Sequence, residues 1–328
     1  MADSPETGAR TGQGGPINLG DLNLPVVDRL VRWGLWLLGA VVLWLAIRWA
    51  HSFYTDWLWF GSLGYEQVLL TATVARVALF LVALAVFLAL ALPNLQAARR
   101  ATEPPPVLPD GLSAADYELI RTLLIRVAAG LTVLLAVVLA AEPAAEWETV
   151  LLFLRRVPFG EADPVFGKDF GFYIFTLPVL ELVRAWLLSV VVTVAVIIAG
   201  FYYVTGLTRK DHFAFLQRAR RQLAFLAAGV FVIIAVSHWL DRYELLYSPT
   251  GAVYGVGYTD TWINIPGRTL LAILALGAGG GLVWAGIRLR GTRSLVWPVA
   301  VWFVGMVLIG GLIPGAFQRL RVEPSELA

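Results

Sequence analysis

Seven apolar runs, each long enough to cross a lipid bilayer as a helix, dominate this chain of 328 residues. Helices satisfy every backbone hydrogen bond within the segment, which the bilayer core requires. Charged residues make up only 15% of the chain, whereas a soluble domain averages about 25%. The sequence therefore predicts an all-α, polytopic helical membrane bundle with about seven transmembrane helices. The predicted spans cover residues 31–49, 68–92, 119–141, 175–204, 223–239, 269–287 and 295–313.

Short basic clusters at alternate ends of these spans predict how the chain crosses the membrane. Short loops rich in Lys and Arg stay in the cytoplasm. With seven spans, the pattern places the N-terminus in the cytoplasm and the C-terminus outside it. The clusters lie at Arg29 and Arg32, at Arg99 and Arg100, from Arg209 to Arg221 and from Arg288 to Arg293.

The segments outside the spans complete the expected domain organisation. Residues 1–25 are rich in Gly, Ser, Thr and Pro and have no apolar period, which predicts a mobile N-terminal tail. Residues 26–318 are expected to form the transmembrane domain, and Pro314 and Gly315 are expected to end its seventh span. We expect residues 319–328 to begin an extracytoplasmic region that is either missing from this chain or absent altogether. The extracytoplasmic surface segments are predicted at residues 50–66, 142–176 and 245–266.

Two of these surface segments have the pattern of short interfacial helices. Aromatic residues crowd positions 53–60, and such rings lie best at the level of the lipid headgroups. We expect a short surface helix there, ending at Gly61 or Gly64. The piece around Trp147 to Leu154 is amphipathic at helical spacing but too short and too charged to cross.

The stretch DPVFGKDFGFYIF, residues 163–175, is the most distinctive loop of the chain. It mixes charges, glycines and aromatic residues between two apolar spans, which is typical of a membrane-surface structure. Oxygens of Glu161, Asp163 and Asp169 would suit Ca²⁺, but their spacing is irregular, so we expect these side chains to fix the loop by hydrogen bonds. The candidate loop residues are Asp163, Pro164, Phe166, Gly167, Lys168, Asp169, Phe170, Gly171 and Tyr173.

A second candidate site consists of charged residues toward the outer ends of spans two, four and five. Charges at membrane depth are costly unless they are paired or functional. Glu181 and Arg184 lie three residues apart on one helix face and are expected to pair. The cluster is either an ion-paired network that fixes helix register or a polar vestibule for a lipid headgroup or another ligand. Its members are Arg76, Glu181, Arg184, His238, Asp241, Arg242 and Glu244.

Several kinds of chemistry are excluded or disfavoured by composition. The chain has no cysteine, which excludes disulfides, iron–sulfur clusters and thiolate zinc sites. It contains neither His-Glu-x-x-His nor Gly-x-Ser-x-Gly. His51, His212 and His238 are the only histidines, and a net charge of +2 does not indicate nucleic acid. We expect no enzyme activity, no metal and no cofactor.

Four segments carry a family resemblance: WFGSLGYEQV at 59–68, DPVFGKDFGFYIFTLPVLE at 163–181, YSPTGAVYGVGYTD at 247–260 and RLRVEPSELA at 319–328. They resemble the membrane region of the bacterial uncharacterised protein family (UPF) 0182. The resemblance implies a multi-spanning protein of the bacterial inner (cytoplasmic) membrane, and it implies no substrate or reaction. It also implies that members continue past the RVEPSELA-like segment into a large soluble region.

Two functions of different classes fit these observations. We favour a noncatalytic scaffold or accessory subunit of a membrane complex, whose outer loops hold a membrane-protein partner or a soluble region of its own. The absence of catalytic motifs, the Trp-rich interfaces and the small residues at 277–281 favour this interpretation. The alternative is a transporter or lipid-handling protein that uses the outer polar cluster, although no clear internal repeat supports it. Membrane lipids are expected partners in either case.

Overall fold

The computed structural model describes residues 24–103, 113–207, 212–247, 255–288 and 293–322. Within these ranges the chain is helical apart from short connections and the loop of residues 155–171, and its only strand-like feature is one antiparallel bridge between Ala162 and Asp169. The nine α-helices found there are α1 Leu24–Leu63, α2 Glu66–Ala101, α3 Ala114–Ala145, α4 Trp147–Leu154, α5 Leu177–Leu207, α6 His212–Glu244, α7 Ile265–Arg288, α8 Arg293–Val307 and α9 Ile313–Phe317. Shorter helical turns cover Phe172–Thr176, Leu245–Tyr247, Asp260–Asn264, Leu308–Leu312 and Gln318–Val322.

Six helical stretches in the described residues are long and apolar enough to cross a membrane. They are Glu66–Ala101, Ala114–Ala145, Phe172–Leu207, Gln217–Tyr247, Asp260–Arg288 and Ser294–Val322. The remaining predicted span lies in α1, many of whose side chains fall outside the described part of the structure. The prediction of an all-α polytopic bundle is confirmed, and six spans are close to the expected seven.

Helix α6 lies at the centre of the packing. It contacts α5 on one side and α7 on the other, while α2 packs on α3 and α5, and α8 packs on α7. One core, which includes Phe87, Val190 and Ile198, joins α2, α3, α5 and α6. A second, alanine-rich core joins α6, α7 and α8, with Phe231 and Ala275 among its members.

Small residues bring α6 and α7 close together, as expected for membrane helices. A Cβ atom on Gly279 would lie 3.3 Å from the carbonyl oxygen of Ala228, and one on Gly286 would lie 2.7 Å from the Cβ of Ala224. Gly277 and Gly280, in contrast, have open space at this position. Only some of the glycines of α7, such as Gly279 and Gly286, are therefore needed for the close approach of α7 to α6.

Helix α1 differs from the prediction because it continues through the aromatic segment instead of stopping at the end of the first span. Its 40 residues correspond to a length of about 60 Å, twice the thickness of a hydrocarbon core of about 30 Å. It ends at Leu63, and Gly64 follows with φ of 74°. The expected end near Gly61 or Gly64 is therefore present, but the segment 50–63 is part of α1 rather than a separate surface helix.

The last helical stretch also exceeds its prediction. We expected Pro314 and Gly315 to end the span, and this was wrong, because the helix continues to Val322. Pro314 lies at the first turn of α9, directly after the π-helical turn Leu308–Leu312.

The predicted amphipathic piece at residues 147–154 is the short helix α4, which packs on α2 and α5. Other predictions concern residues outside the described part of the structure. They are residues 1–23 of the tail, 208–211 of a basic cluster, 248–254 of a surface segment, 289–292 of another basic cluster and 323–328 of the C-terminal region.

Candidate functional site

The loop of residues 155–171 folds around the carboxylate of Asp163, at the end of the bundle that we call the loop end. Asp163 is 3% exposed. Its Oδ1 accepts the backbone N–H groups of Val165 at 2.9 Å and Phe166 at 2.5 Å. Its Oδ2 accepts the N–H of Lys168 at 2.8 Å and the hydroxyl of Tyr173 at 2.7 Å. A buried carboxylate is tolerated here because four donors compensate for lost water.

These contacts determine the charge of Asp163. Burial by itself raises the pKa of the carboxyl, but the hydrogen bonds from Phe166, Tyr173, Lys168 and Val165 together outweigh it and hold the pKa below its usual value. Asp163 is therefore ionised at neutral pH, with its oxygens directed at the loop's own donors.

Asp169 has the same role on the other side of the loop. Its Oδ1 accepts from the N–H of Phe159 at 3.1 Å and of Gly171 at 2.7 Å, and its Oδ2 accepts from the N–H of Gly160 at 2.9 Å. The bond from Phe159 is the main reason that the pKa of Asp169 lies below its usual value, against a smaller effect of burial in the other direction. The hydrogen bonds that we expected from Asp163 and Asp169 are thus present.

Glycines make this loop geometry accessible. Gly160 and Gly167 have φ of 79° and 65°, in the left-handed region that favours glycine. A Cβ on Gly171 would lie 2.8 Å from Oδ1 of Asp169 and 2.9 Å from the carbonyl oxygen of Val157. Gly171 therefore allows the approach between the loop and the start of the following helix.

Aromatic side chains attach the loop to α6. Tyr173 and Leu177 pack with Leu240 and Tyr243 in a small buried cluster. The rings of Phe166 and Phe172 lie 4.9 and 5.1 Å from that of Tyr243, both in edge-on arrangements. Of the other predicted loop residues, Lys168 places its ammonium 5.8 Å from the Phe172 ring centre, and Pro164 and Phe170 are exposed.

Four members of the predicted polar cluster meet between α5 and α6 at the loop end. The carboxyl group of Glu181 in α5 lies next to that of Glu244 in α6. Arg184 and Asp241 are close enough to act on Glu181 electrostatically. The ion pair expected between Glu181 and Arg184 is absent, because no salt bridge within 4.0 Å joins them among the described residues, and Glu181 instead faces a second carboxyl group.

Asp241 links this group to α7. Its Oδ2 lies 2.5 Å from Nη1 of Arg268 and 3.7 Å from Nδ1 of His238. His238 also lies beside Trp302 of α8, with the ring centres 6.2 Å apart. Neither ring nitrogen of His238 has a hydrogen-bond partner among the described residues.

Arg268 is the residue that sequence reasoning missed. It is not among the candidate residues that the sequence indicated, and its partner Asp241 is 27 residues away on another helix. No local spacing connects residues so far apart. Only the packing of α6 on α7 brings the two side chains together.

The two remaining arginines of the predicted cluster have other partners. Arg242 donates from Nη1 to the hydroxyl of Thr269 at 3.1 Å and stacks 3.4 Å from the ring centre of Trp239. Arg76 lies 5.1 Å from the ring centre of Trp147 in α4. Among the described residues no carboxylate lies within 4.0 Å of Arg76, so no direct contact joins it to the cluster. The contact with the aromatic ring offsets part of its cost at membrane depth.

The described residues contain no group of three or more His, Asp or Glu side chains arranged to hold a metal ion. The loop carboxylates accept hydrogen bonds from backbone groups, and Asp241 pairs with an arginine. The chemistry that the loop end offers is therefore hydrogen bonding and ion pairing.

Comparison with known proteins supports the family suggested by the sequence motifs. The model of the Uncharacterised protein family (UPF0182) matches residues 33–328. The chain belongs to the UPF0182 family. It is 35% identical over 305 residues to a UPF0182 protein of Cupriavidus necator, a match that covers 91% of this chain and 33% of the relative.

Other UPF0182 proteins give the same relationship. The protein of Rhodococcus jostii is 35% identical over 291 residues, covering 83% of this chain and 28% of the relative. The protein of Synechococcus sp. is 35% identical over 320 residues, covering 92% of this chain and 35% of the relative. The chain thus spans about a third of the length of the curated relatives that it matches. No solved structure matches it. This is a multi-pass helical membrane protein of a bacterial family.

Proposed function

We propose that this protein is a noncatalytic scaffold of the bacterial inner membrane, and that its loop end lies outside the cytoplasm and holds a protein partner. The observation that carries the proposal is the internal hydrogen bonding of the loop. The carboxylates of Asp163 and Asp169 accept seven hydrogen bonds, six from the loop's own backbone and one from Tyr173. A loop built in this way keeps one shape, and a preordered surface binds without the entropic cost of ordering.

The outer face of this ordered loop favours protein binding. Large apolar side chains remain exposed on it, although the loop is otherwise polar and rich in glycine. Exposed apolar groups beside polar ones are typical of interaction surfaces. They are Val157, Phe159, Val165 and Phe170, and Leu154 is exposed directly before the loop at the end of α4.

The length of the relatives is consistent with the proposal. About two thirds of each relative lies outside the matched region. A scaffold of this kind would hold such a region, or a separate protein, against the loop end. For the present chain, we propose only that the partner is a protein and that it binds at the loop end.

Photocrosslinking in native membranes tests the scaffold. A photoreactive amino acid replaces Val165 or Phe170 on the loop, or Val133 on the exposed face of α3 as the matched control. We expect both loop positions, and not Val133, to give one discrete crosslinked protein, with a lower yield when Tyr173→Phe loosens the loop. Crosslinks to lipid alone from all three positions would contradict the proposal.

Transport or lipid handling is the second candidate, and the proximity of Glu181 to Glu244 favours it. Two carboxyl groups that share one site do not both ionise readily, so a proton on one of them stabilises the pair. The pair lies among spanning helices, where ionisable groups often mark a pathway. A carboxyl pair that takes up and releases a proton would suit coupled movement of a solute or lipid.

Proteoliposomes distinguish the two candidates. One set contains a pH-sensitive dye, and another contains a fluorescent phosphatidylglycerol, with Glu142→Gln on the exposed end of α3 as the control. Proton or lipid movement that is lost in Glu181→Gln, while the variant melts as the wild type does, would contradict the scaffold. Absence of movement together with a lower melting temperature in Glu181→Gln would contradict the transporter.

A further inference from the structure

The opposite end of the bundle contains a groove that is separate from the loop-end site. We call this end, where α2 carries Arg99 and Arg100, the basic end. The groove lies between α2, α5 and α6 and has a volume of about 480 Å³. None of its nine lining residues is acidic, and two are arginines. They are Asn94, Ala97, Ala101, Tyr202, Arg218, Arg221, Gln222, Phe225 and Leu226.

A chain of hydrogen bonds gives the groove a defined polar floor. The hydroxyl of Tyr202 donates to Oε1 of Gln222 at 2.7 Å. The amide of Gln222 then donates to Oδ1 and to the carbonyl oxygen of Asn94 at 3.0 and 2.8 Å. Asn94 in turn donates to the carbonyl of Leu90 at 2.9 Å. Because these bonds join α2, α5 and α6, the helix face that carries the two arginines is held in place without a ligand.

The arginines lie three residues apart on α6 and therefore share one face. Both are exposed. Arg218 reaches across the groove, with Nη1 3.5 Å from the carbonyl oxygen of Ala101 in α2. In the described part of the chain, no carboxylate lies within 4.0 Å of Arg218 or Arg221. Two guanidinium groups without a carboxylate partner match the geometry and charge of a phosphate.

The rest of the groove is apolar. Ala97 and Ala101 line it on α2, and Phe225 and Leu226 line it one to two turns along α6 from the arginines. A ligand that fits both parts has a phosphate at one end and a hydrocarbon part at the other. We infer that this groove binds the phosphate group of an anionic phospholipid, with an acyl chain along Phe225 and Leu226. Basic pockets between membrane helices bind lipid headgroups in this way.

Native mass spectrometry of the full chain tests this inference. The probes are phosphatidylglycerol, phosphatidylcholine and inorganic phosphate. The groove variant combines Arg218→Gln with Arg221→Gln. The matched control combines Arg99→Gln with Arg100→Gln, which removes the same charge from exposed positions at the same end but outside the groove lining.

We expect wild type and the Arg99/Arg100 control to bind phosphatidylglycerol in preference to phosphatidylcholine. The groove variant should bind phosphatidylglycerol about 30-fold more weakly, the loss expected for two arginines at an anionic headgroup. An equal loss in both double variants would contradict the inference, since it would show a general effect of charge. Competition by inorganic phosphate at concentrations similar to those of phosphatidylglycerol would also contradict it, by identifying a site for free phosphate.

The groove variant's melting temperature shows whether it is folded. Should it fail to fold, Arg218→Lys with Arg221→Lys replaces it. This variant keeps both charges but loses the bidentate geometry of the guanidinium. Weaker binding of phosphatidylglycerol supports the inference, and unchanged binding contradicts it.

Discussion

Replacing Tyr173 by phenylalanine removes one oxygen atom and leaves the ring in its aromatic cluster. The lost hydroxyl donates to Oδ2 of Asp163 at 2.7 Å, and both residues are buried, at 6% and 3% exposure. A hydrogen bond to a charged group contributes about 1.5–3 kcal/mol. Because three backbone donors remain on Asp163, we expect the loop to open more often rather than to unfold.

Amide hydrogen exchange measures this opening directly. If the N–H groups of Val165, Phe166 and Lys168 exchange through local opening, a loss of about 1.5–3 kcal/mol speeds their exchange by about 10- to 150-fold. Tyr203→Phe is the matched control, because Tyr203 is exposed near the other end of α5. Exchange in the loop that stays within about threefold of wild type, or that rises equally in Tyr203→Phe, would refute the role assigned to the Tyr173 hydroxyl.

Three further predictions concern the loop end. Gly171→Ala should destabilise the loop by about 1–3 kcal/mol, because its Cβ would lie 2.8 Å from Asp169; exchange of the loop amides measures this. Arg268→Gln should lower the free energy of unfolding by about 1–2 kcal/mol, less than for a fully buried pair because Arg268 is partly exposed; thermal unfolding in detergent measures this. The pKa of Asp163 in the folded loop lies below its value of about 4 in the unfolded chain. The ionised carboxylate therefore contributes its full stabilisation of the loop above about pH 4, and this contribution is lost as the pH falls through the folded pKa. An acid titration of the loop, compared with Asp163→Asn, measures this.

Each of these predictions has a control or a contrary outcome. Gly200→Ala in α5 tests the steric argument, because its Cβ would have no neighbour within 4 Å; an equal effect at both glycines would contradict it. Arg155→Gln, at an exposed position, is the control for Arg268→Gln and should change the free energy of unfolding by less than about 0.5 kcal/mol. An equal change in both variants would contradict the role of the Arg268–Asp241 pair. An acid titration with the same stability loss in Asp163→Asn as in wild type would show that another group is responsible.

The sequence predicted the helical bundle because long apolar runs permit few other structures in a membrane. It also predicted that Asp163 and Asp169 fix the loop, since short polar side chains among glycines usually bond to nearby backbone. The junctions were harder to predict. Neither the continuity of α1 past residue 50 nor the passage of a helix through Pro314 follows from local composition.

The polar cluster was predictable as a location but not as a set of contacts. Glu181 and Arg184 share a face by their spacing alone. The meeting of Glu181 with Glu244, however, depends on the rotation of α5 against α6, and the pairing of Asp241 with Arg268 depends on α7. Arg76 lies within an apolar span as expected, yet its contact is an aromatic ring of α4. Such facts arise from tertiary packing, which a single sequence does not determine.

The neighbour-to-neighbour packing of the helices has a consequence for biogenesis. Helices α2 and α3, α5 and α6, α6 and α7, and α7 and α8 are consecutive in the chain and in contact. Such local contacts require little loop closure, so each pair is able to associate soon after its second member leaves the ribosome. A nascent chain arrested before α7 would contain its first core but would leave Phe231 and Ala235 of α6 facing lipid. The second core therefore begins to form only when α7 inserts and packs on α6.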